Sequence, residues 1–117
     1  MNLDFSMEVK EDDQTPVVIV KGEIDVYTCP RLNKVLKNLI EEKEKNNVVL
    51  NLEDIQYIDS TGLGTIAHTA RKISEANGKI HVVCTKPQVR KIFEVSGLVT
   101  KNIKLFEEEK EAILELA

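Results

Sequence analysis

Apolar residues recur at two kinds of spacing along the chain, and these spacings predict the order of its elements. A period of two over residues 3–9 predicts a half-buried strand, and a dense apolar run over residues 16–22 predicts a second strand after the turn EDDQT. Three further apolar runs, at residues 48–52, 79–84 and 102–106, predict short buried strands. The first two strands are expected to form a hairpin.

Four helices are predicted from apolar residues spaced three and four apart. The first has Pro30 near its start, where the missing N–H of proline does no harm. The second follows residues 57–64 and is expected to end at Gly78 in a left-handed conformation. The third covers residues 86–97, and the last is the acidic segment 107–117. Strands and helices therefore alternate over most of the chain.

The resulting order is β-β-α-β-α-β-α-β-α, which predicts an α/β fold with a mixed, mainly parallel sheet covered by helices. With 117 residues, no internal repeat and no Pro/Ser-rich linker, the chain is expected to form a single domain over residues 1–117. The residues EDIQYI, between the third strand and the second helix, are expected to form a short loop.

Composition and charge argue against several classes of function. A net charge of −4 and 4% aromatic residues without tryptophan disfavour binding to nucleic acid or anionic lipid. No apolar run reaches the length of about 18 residues that a membrane span needs, and the N-terminus has no signal-peptide pattern, so a cytoplasmic protein is expected. Cys29 and Cys84 are too far apart for a CxxC pair and are expected to be reduced thiols, with no metal site.

The octapeptide YIDSTGLG, residues 57–64, combines features that conflict in an ordinary helix start. Asp59, Ser60 and Thr61 all favour a helix N-cap, whereas a glycine in the following turn costs about 1 kcal/mol relative to alanine. One interpretation is an exposed hydroxyl on an anion-friendly helix end, with two glycines that let another protein or a nucleotide approach. A plain N-cap whose glycines pack against a neighbouring loop fits equally well.

Catalytic interpretations of the same octapeptide lack their other parts. The phosphate-binding patterns GxxxxGK[ST] and GxGxxG are absent, and so is the serine elbow GxSxG. His68 lies two turns along the predicted helix and His81 lies in a strand, and both are expected to be surface or half-buried residues. The DSTG sequence is similar to the loop of aspartic proteases, but those enzymes need two such carboxylates. The chain is therefore not expected to be an enzyme.

With the strand VVLNL before it and VKGEIDVYT near the N-terminus, YIDSTGLG resembles the anti-sigma factor antagonists, which are bacterial members of the STAS-domain family. The resemblance extends over nearly the whole chain, from VVIVKGEIDVYTCPRL to KPQVRKIFEVSGL. It implies a small domain with a sheet of four to five strands and four helices mostly on one face.

The resemblance also implies a regulatory role. Members of the family bind an anti-sigma factor that is also an ATP-dependent serine kinase, and thereby release a sigma factor. Phosphorylation of the antagonist breaks the complex and a phosphatase restores it. Carried over to this chain, the phosphorylated residue is Ser60, with Thr61 as the second candidate. The partner kinase would supply ATP and Mg, and this chain would need no cofactor.

The residues expected at the partner interface are Gly22, Glu23, Asp25, Asp59, Ser60, Thr61, Gly62, Leu63, Gly64, Thr85, Lys86 and Pro87. Leu63 has two possible roles, in the core or as an exposed interface residue. The helical pattern does not separate them, but the place of Leu63 as the first residue of the apolar stripe favours the core. The residues around Pro87 are expected at the same strand-end edge of the sheet as Ser60. The alternative function is a STAS sensor domain that binds a nucleotide or small molecule at the same helix N-terminus.

Overall fold

The computed structural model describes residues 5–116 and confirms the predicted order of elements. The strands are β1 (Ser6–Asp12), β2 (Thr15–Ile24), β3 (Asn47–Ile58), β4 (Lys79–Val83) and β5 (Ile103–Phe106). The helices are α1 (Cys29–Lys37), α2 (Ser60–Ser74), α3 (Pro87–Ser96) and α4 (Glu109–Leu114), and α1 continues into a π-helical turn, Asn38–Glu42. Residues 3 and 4 of the predicted first strand lie outside the described residues.

The five strands form one sheet in the order β1-β2-β3-β4-β5. Strand β1 is antiparallel to β2, and every other neighbouring pair is parallel. The hairpin turns at Asp13 and Gln14, which both have positive φ, as the tight turns of twisted hairpins require. The parallel pairs are joined by helical crossovers, so the predicted α/β fold is confirmed.

The helices are divided unequally between the two faces of the sheet. Helices α1, α2 and α3 cover one face, where their apolar residues form the main core with those of the strands; Leu36, Ile66 and Phe93 are examples. Helix α4 alone covers the other face, where Ala112 packs in a smaller cluster with Val49 and other residues. The expectation that the helices lie mostly on one face is confirmed.

The expectation that EDIQYI is a loop is wrong, because β3 continues through it to Ile58. The register of β3 against β2 shifts twice, once between Ile19 and Lys21 and once between Gly22 and Glu23. Each shift inserts an extra residue into β3, as a β-bulge does. The residues of β3 that face the main core therefore change from a spacing of two to a spacing of three, which a search for period two does not recognise as a strand. They are Val48, Leu50, Leu52, Ile55 and Ile58.

The predicted left-handed stop at Gly78 is also wrong. Asn77 has the positive φ of 59°, whereas Gly78 does not. Glycine is required at position 78 for a different reason, since a Cβ there would lie 2.0 Å from the Asn46 carbonyl oxygen. Among the residues other than glycine, asparagine tolerates the left-handed region best. The left-handed stop therefore lies at Asn77, one residue before the predicted position. Gly97, at the predicted end of α3, does have a left-handed conformation.

Two features of residues 5–116 concern the membrane and metal sites that the sequence disfavours. None of the helices in that part of the chain is long and apolar enough to cross a membrane. The same residues contain no group of three or more His, Cys, Asp or Glu side chains that could hold a metal ion.

Candidate functional site

Asp59 begins α2 and holds its first turn in place. Its backbone is extended, and its carboxylate accepts a hydrogen bond from the Gly62 N–H at 3.0 Å, as an N-cap residue does. The same carboxylate accepts a 2.5 Å hydrogen bond from the Thr61 hydroxyl. The pKa of Asp59 is held below its ordinary value, first by the hydrogen bond from this hydroxyl and then by backbone N–H groups, including that of Val26. Partial burial opposes this shift. The cap is therefore a carboxylate that is ionised at neutral pH.

Ser60 and Thr61 differ in what their hydroxyls contact. Both residues are exposed. The Thr61 hydroxyl donates its hydrogen bond to Asp59, whereas the Ser60 hydroxyl has no hydrogen-bond partner among residues 5–116. Phosphorylation of Thr61 would first have to break its hydrogen bond to Asp59, whereas phosphorylation of Ser60 would break no such bond. Ser60 is therefore the more accessible of the two candidate sites.

The two glycines of the octapeptide have different roles. Gly62 is buried, and a Cβ at this position would lie 2.7 Å from Ile24 Cγ2 and 2.8 Å from Ile58 Cγ1. Gly64 is exposed, and a Cβ there would meet nothing within 4 Å. The interpretation that both glycines clear a path for a partner is therefore wrong for Gly62, which lets α2 pack closely on the ends of two strands. Only Gly64 leaves open space at the surface.

The turn after β2 lies beside the start of α2. The Asp59 N–H donates to the Ile24 carbonyl at 3.0 Å, so the two segments that carry the family resemblance are joined directly. Gly22 has a φ of 98° next to the second register shift, a conformation that glycine adopts at little cost. Glu23, the next residue, is exposed. The turn after β2 is thus bonded to Asp59, the residue before Ser60.

Asp25 organises the turn that precedes α1. Its carboxylate accepts hydrogen bonds from the N–H groups of Tyr27 at 2.9 Å and Thr28 at 3.1 Å. The buried Thr28 hydroxyl donates to the Glu23 carbonyl and accepts from the Asp25 N–H. Asp25 is half-buried, so the residue predicted to face a partner also holds its own loop in shape.

The sequence patterns missed the exposed apolar residues of this turn. Tyr27 is 82% exposed and Val26 is 56% exposed, although both lie next to the framework that Asp25 builds. Large apolar side chains held in a fixed turn and left open to water are typical of protein-binding surfaces, and tyrosine is enriched among residues that dominate binding energy. The sequence signal was available, because Val26 and Tyr27 interrupt the polar turn GEIDVYT.

Leu63 and the loop after β4 complete the predicted interface. Leu63 is half-buried and packs against the main core, which agrees with the core role that the pattern favours. Exposed Thr85 donates its hydroxyl to Glu53 at 2.7 Å, and half-buried Lys86 donates from Nζ to the Ile55 carbonyl at 3.1 Å, with exposed Pro87 beginning α3.

The loop after β4 lies away from Ser60 along the extended strand β3. Strand β4 pairs with β3 only as far as Asn51, so β3 runs on past it toward α2. The six residues from Glu53 to Ile58 span about 17 Å of strand. The sheet edge is therefore staggered, and Thr85 and Lys86 bond to polar groups on the part of β3 that pairs with β2 but not with β4.

Neither histidine is placed to act as a base for Ser60. His68 is exposed and lies about 12 Å farther along the axis of α2. His81 is buried, contrary to expectation, on the α4 face of the sheet, where its Nδ1 donates to the Ala112 carbonyl at 2.8 Å. Burial lowers the pKa of His81 and favours the neutral ring. A nucleophilic serine with a histidine base is thus not supported by this geometry.

Comparison with known proteins extends the resemblance. A model of the STAS domain matches residues 6–112. The chain belongs to the STAS-domain family. The anti-sigma-B factor antagonist of Staphylococcus aureus is 30% identical to it over 96 residues, which cover 82% of this chain and 88% of that protein. The predicted resemblance to anti-sigma factor antagonists is confirmed.

Solved structures agree with this assignment. The crystal structure of an anti-sigma factor antagonist from Mycobacterium paratuberculosis has a TM-score of 0.86 at 26% identity and covers 97% of this chain and 94% of its own. The phosphorylated form of SpoIIAA, a Bacillus cell fate determinant, has a TM-score of 0.74 at 22% identity, with 96% of this chain and 100% of that chain covered. This second likeness shows the shared fold.

Proposed function

We propose that this protein is an anti-sigma factor antagonist that binds an anti-sigma factor serine kinase and is released when Ser60 is phosphorylated. The observation that carries the proposal is the contrast within the first turn of α2. The Ser60 hydroxyl is exposed and has no hydrogen-bond partner within residues 5–116, while its neighbours Asp59 and Thr61 hold the turn. Such a site can be modified without taking apart the helix start.

The surface around Ser60 suits a protein partner. Exposed Val26 and Tyr27 would supply apolar contact area, and the open space at Gly64 would admit a partner's backbone. Glu23 and Asp59 place carboxylates next to these residues. A complementary partner would therefore combine an apolar pocket with basic groups. Thr85, Lys86 and Pro87 would lie toward the margin of this interface.

The expected effect of phosphorylation follows from its charge. A phosphoserine carries about −1.5 to −2 charges at neutral pH. At the N-terminus of α2 the helix dipole tolerates this charge, so the protein stays folded. In the complex the phosphate would enter a desolvated surface beside Asp59 and Glu23, where like charges repel it. A loss of about 3 kcal/mol there would weaken binding about a hundredfold.

Other proteins would carry out the addition and removal of phosphate. The partner kinase would bind ATP and Mg, and a phosphatase would remove phosphate from Ser60, while this chain acts as a non-enzymatic switch without a cofactor. Because sigma factors act where transcription takes place, the proposal puts the protein in the cytoplasm, without direct contact with nucleic acid or membrane.

Incubation with the cognate kinase and Mg-ATP, followed by mass spectrometry of the peptides, tests the site. We expect phosphate on Ser60 in the wild type and in Thr61→Val, and none in Ser60→Ala. Phosphate only on Thr61 or elsewhere would contradict the assignment. Calorimetry of the isolated protein with ATP and GTP tests the alternative, since a nucleotide sensor would bind without any kinase.

A further inference from the structure

A groove of about 520 Å³ lies at the far end of the sheet from Ser60, between the β1–β2 hairpin and the end of α1. It is called the hairpin groove below. Its apolar lining comes from Val9 and Pro16 on the hairpin and from Val35 and Leu39 on the helical side. Its volume falls within the range of about 300–1,000 Å³ that is usual for small-molecule sites.

The apolar floor of the groove comes from a residue of β1 that the helices do not fully cover. Phe5, Met7 and Val9 alternate along the same face of the hairpin, and the first two pack against the main core. Val9, the next residue on that face, lines the groove together with Val35 of α1 and is 46% exposed. Strand β1 therefore carries one more apolar residue than the described helices bury, which leaves an apolar floor open to water.

Lysine side chains surround this floor, in a chain whose net charge is −4. Lys45 donates from Nζ to Glu11 and to the Gln14 carbonyl, both at 3.1 Å, so the carboxylate that lines the groove is already paired. Lys34 and Lys43 also line the groove and are exposed, and within residues 5–116 neither forms an ion pair. The apolar floor thus lies beside two uncompensated positive charges.

We propose that the hairpin groove binds an amphipathic carboxylate, with its hydrocarbon part on Val9 and Leu39 and its carboxylate between Lys34 and Lys43. Charge complementarity selects the anion: a cationic amphiphile would meet the same lysines and be repelled. The cavity volume selects a small molecule with a short acyl chain.

This site is independent of the Ser60 switch. The groove contains Pro16, near the start of β2, whereas Ile24 at the end of the same strand contacts the first turn of α2. Eight strand residues separate the two ends by about 26 Å. Occupancy of the groove is therefore compatible with a partner bound at Ser60, and the failure of either proposal leaves the other standing.

Titration of the ¹⁵N-labelled full chain with sodium decanoate, below its micelle concentration and followed by NMR, tests the proposal. We expect saturable shifts at Val9, Val35 and Leu39 and none around Ser60. Decyltrimethylammonium should produce no saturable shift at these residues. Shifts that spread over the whole surface, or that never saturate, would overturn the proposal.

Charge reversal distinguishes a specific site from general attraction. Lys34→Glu with Lys43→Glu should weaken decanoate binding about tenfold or more. The control, Lys91→Glu with Lys101→Glu, changes two exposed lysines that do not line the groove and should leave the affinity unchanged. Equal affinity in both double variants would overturn the proposal. So would groove shifts that follow protein concentration alone, because they would show a second copy of the chain in the groove.

Discussion

The inward and outward sides of the first turn of α2 are built from adjacent residues and have opposite properties. On the inward side, Asp59 caps the helix and Gly62 packs against Ile24 and Ile58 with no space for a side chain. On the outward side, Ser60 is exposed and its hydroxyl has no hydrogen-bond partner in the described part of the chain, residues 5–116. A Cβ added at Gly64 would meet none of these residues within 4 Å outside its own helix turn. Close packing on one side keeps the turn fixed, so that residues on the other side can change without loss of the fold.

The largest effect is expected from Gly62→Ala. The new Cβ would lie 2.7 Å from Ile24 Cγ2 and 2.8 Å from Ile58 Cγ1, and both isoleucines are buried in the main core. Because neither can retreat without disturbing its neighbours, we expect a loss of about 1–3 kcal/mol in the free energy of unfolding. Urea denaturation followed by circular dichroism measures it. A variant as stable as the wild type would show that the inward side is not tightly packed.

Replacement of the helix cap should have the next largest effect. Asp59→Ala removes the acceptor for the Gly62 N–H and the Thr61 hydroxyl, so a loss of about 1 kcal/mol is expected. Asp59→Asn keeps an N-cap oxygen and should lose less. The same denaturation experiment separates the two variants. Equal stability of Asp59→Ala and the wild type would remove Asp59 from the framework of the turn.

On the outward side, Gly64→Ala is expected to stabilise the protein. The residue lies within α2 and its Cβ would enter open space, so alanine should gain about 0.5–1 kcal/mol through lower entropy of the unfolded chain and better helix propensity. Gly62→Ala is its matched control, since both change glycine to alanine in the same turn. Destabilisation of both variants by the same amount would contradict the comparison between the two sides.

The ionised cap gives a smaller effect that depends on pH. The pKa of Asp59 is lowered in the folded protein, first by the Thr61 hydroxyl. Because the unfolded state then binds a proton more readily, the stabilisation is complete above the unfolded pKa and is lost as pH falls through the folded pKa. Between about pH 5 and pH 2 the wild type should lose more stability than Asp59→Asn. Parallel curves for the two proteins would argue against an ionised cap.

The sequence predicted the order of elements because most strands and helices obey a single period. It failed at β3, where two register shifts replace a spacing of two by a spacing of three after Leu52. A bulge depends on pairing with a neighbouring strand, and a local pattern does not contain that information. The stop at Asn77 was missed for a similar reason, since the constraint on Gly78 comes from the carbonyl of Asn46.

Within the site, the sequence pointed to Ser60 but could not separate residues of equal local character. Ser60 and Thr61 are both helix-capping hydroxyls, and only the direction of the Thr61 side chain distinguishes them. Gly62 and Gly64 are likewise equivalent until Ile24, from another segment, is brought against one of them. The burial of His81 was missed because α4, which covers it, begins 28 residues later in the chain. Long-range packing decides the cases of Gly62 and His81.

The central claim is that a negative charge on Ser60 ends partner binding and leaves the fold intact. Titration calorimetry of the cognate anti-sigma factor with wild type, Ser60→Ala and Ser60-phosphorylated protein tests it, with thermal unfolding of each sample measured in parallel. The account predicts tight binding by the first two, binding about a hundredfold weaker after phosphorylation, and closely similar unfolding of all three. Undiminished binding by the phosphorylated protein, or its unfolding, would contradict the account.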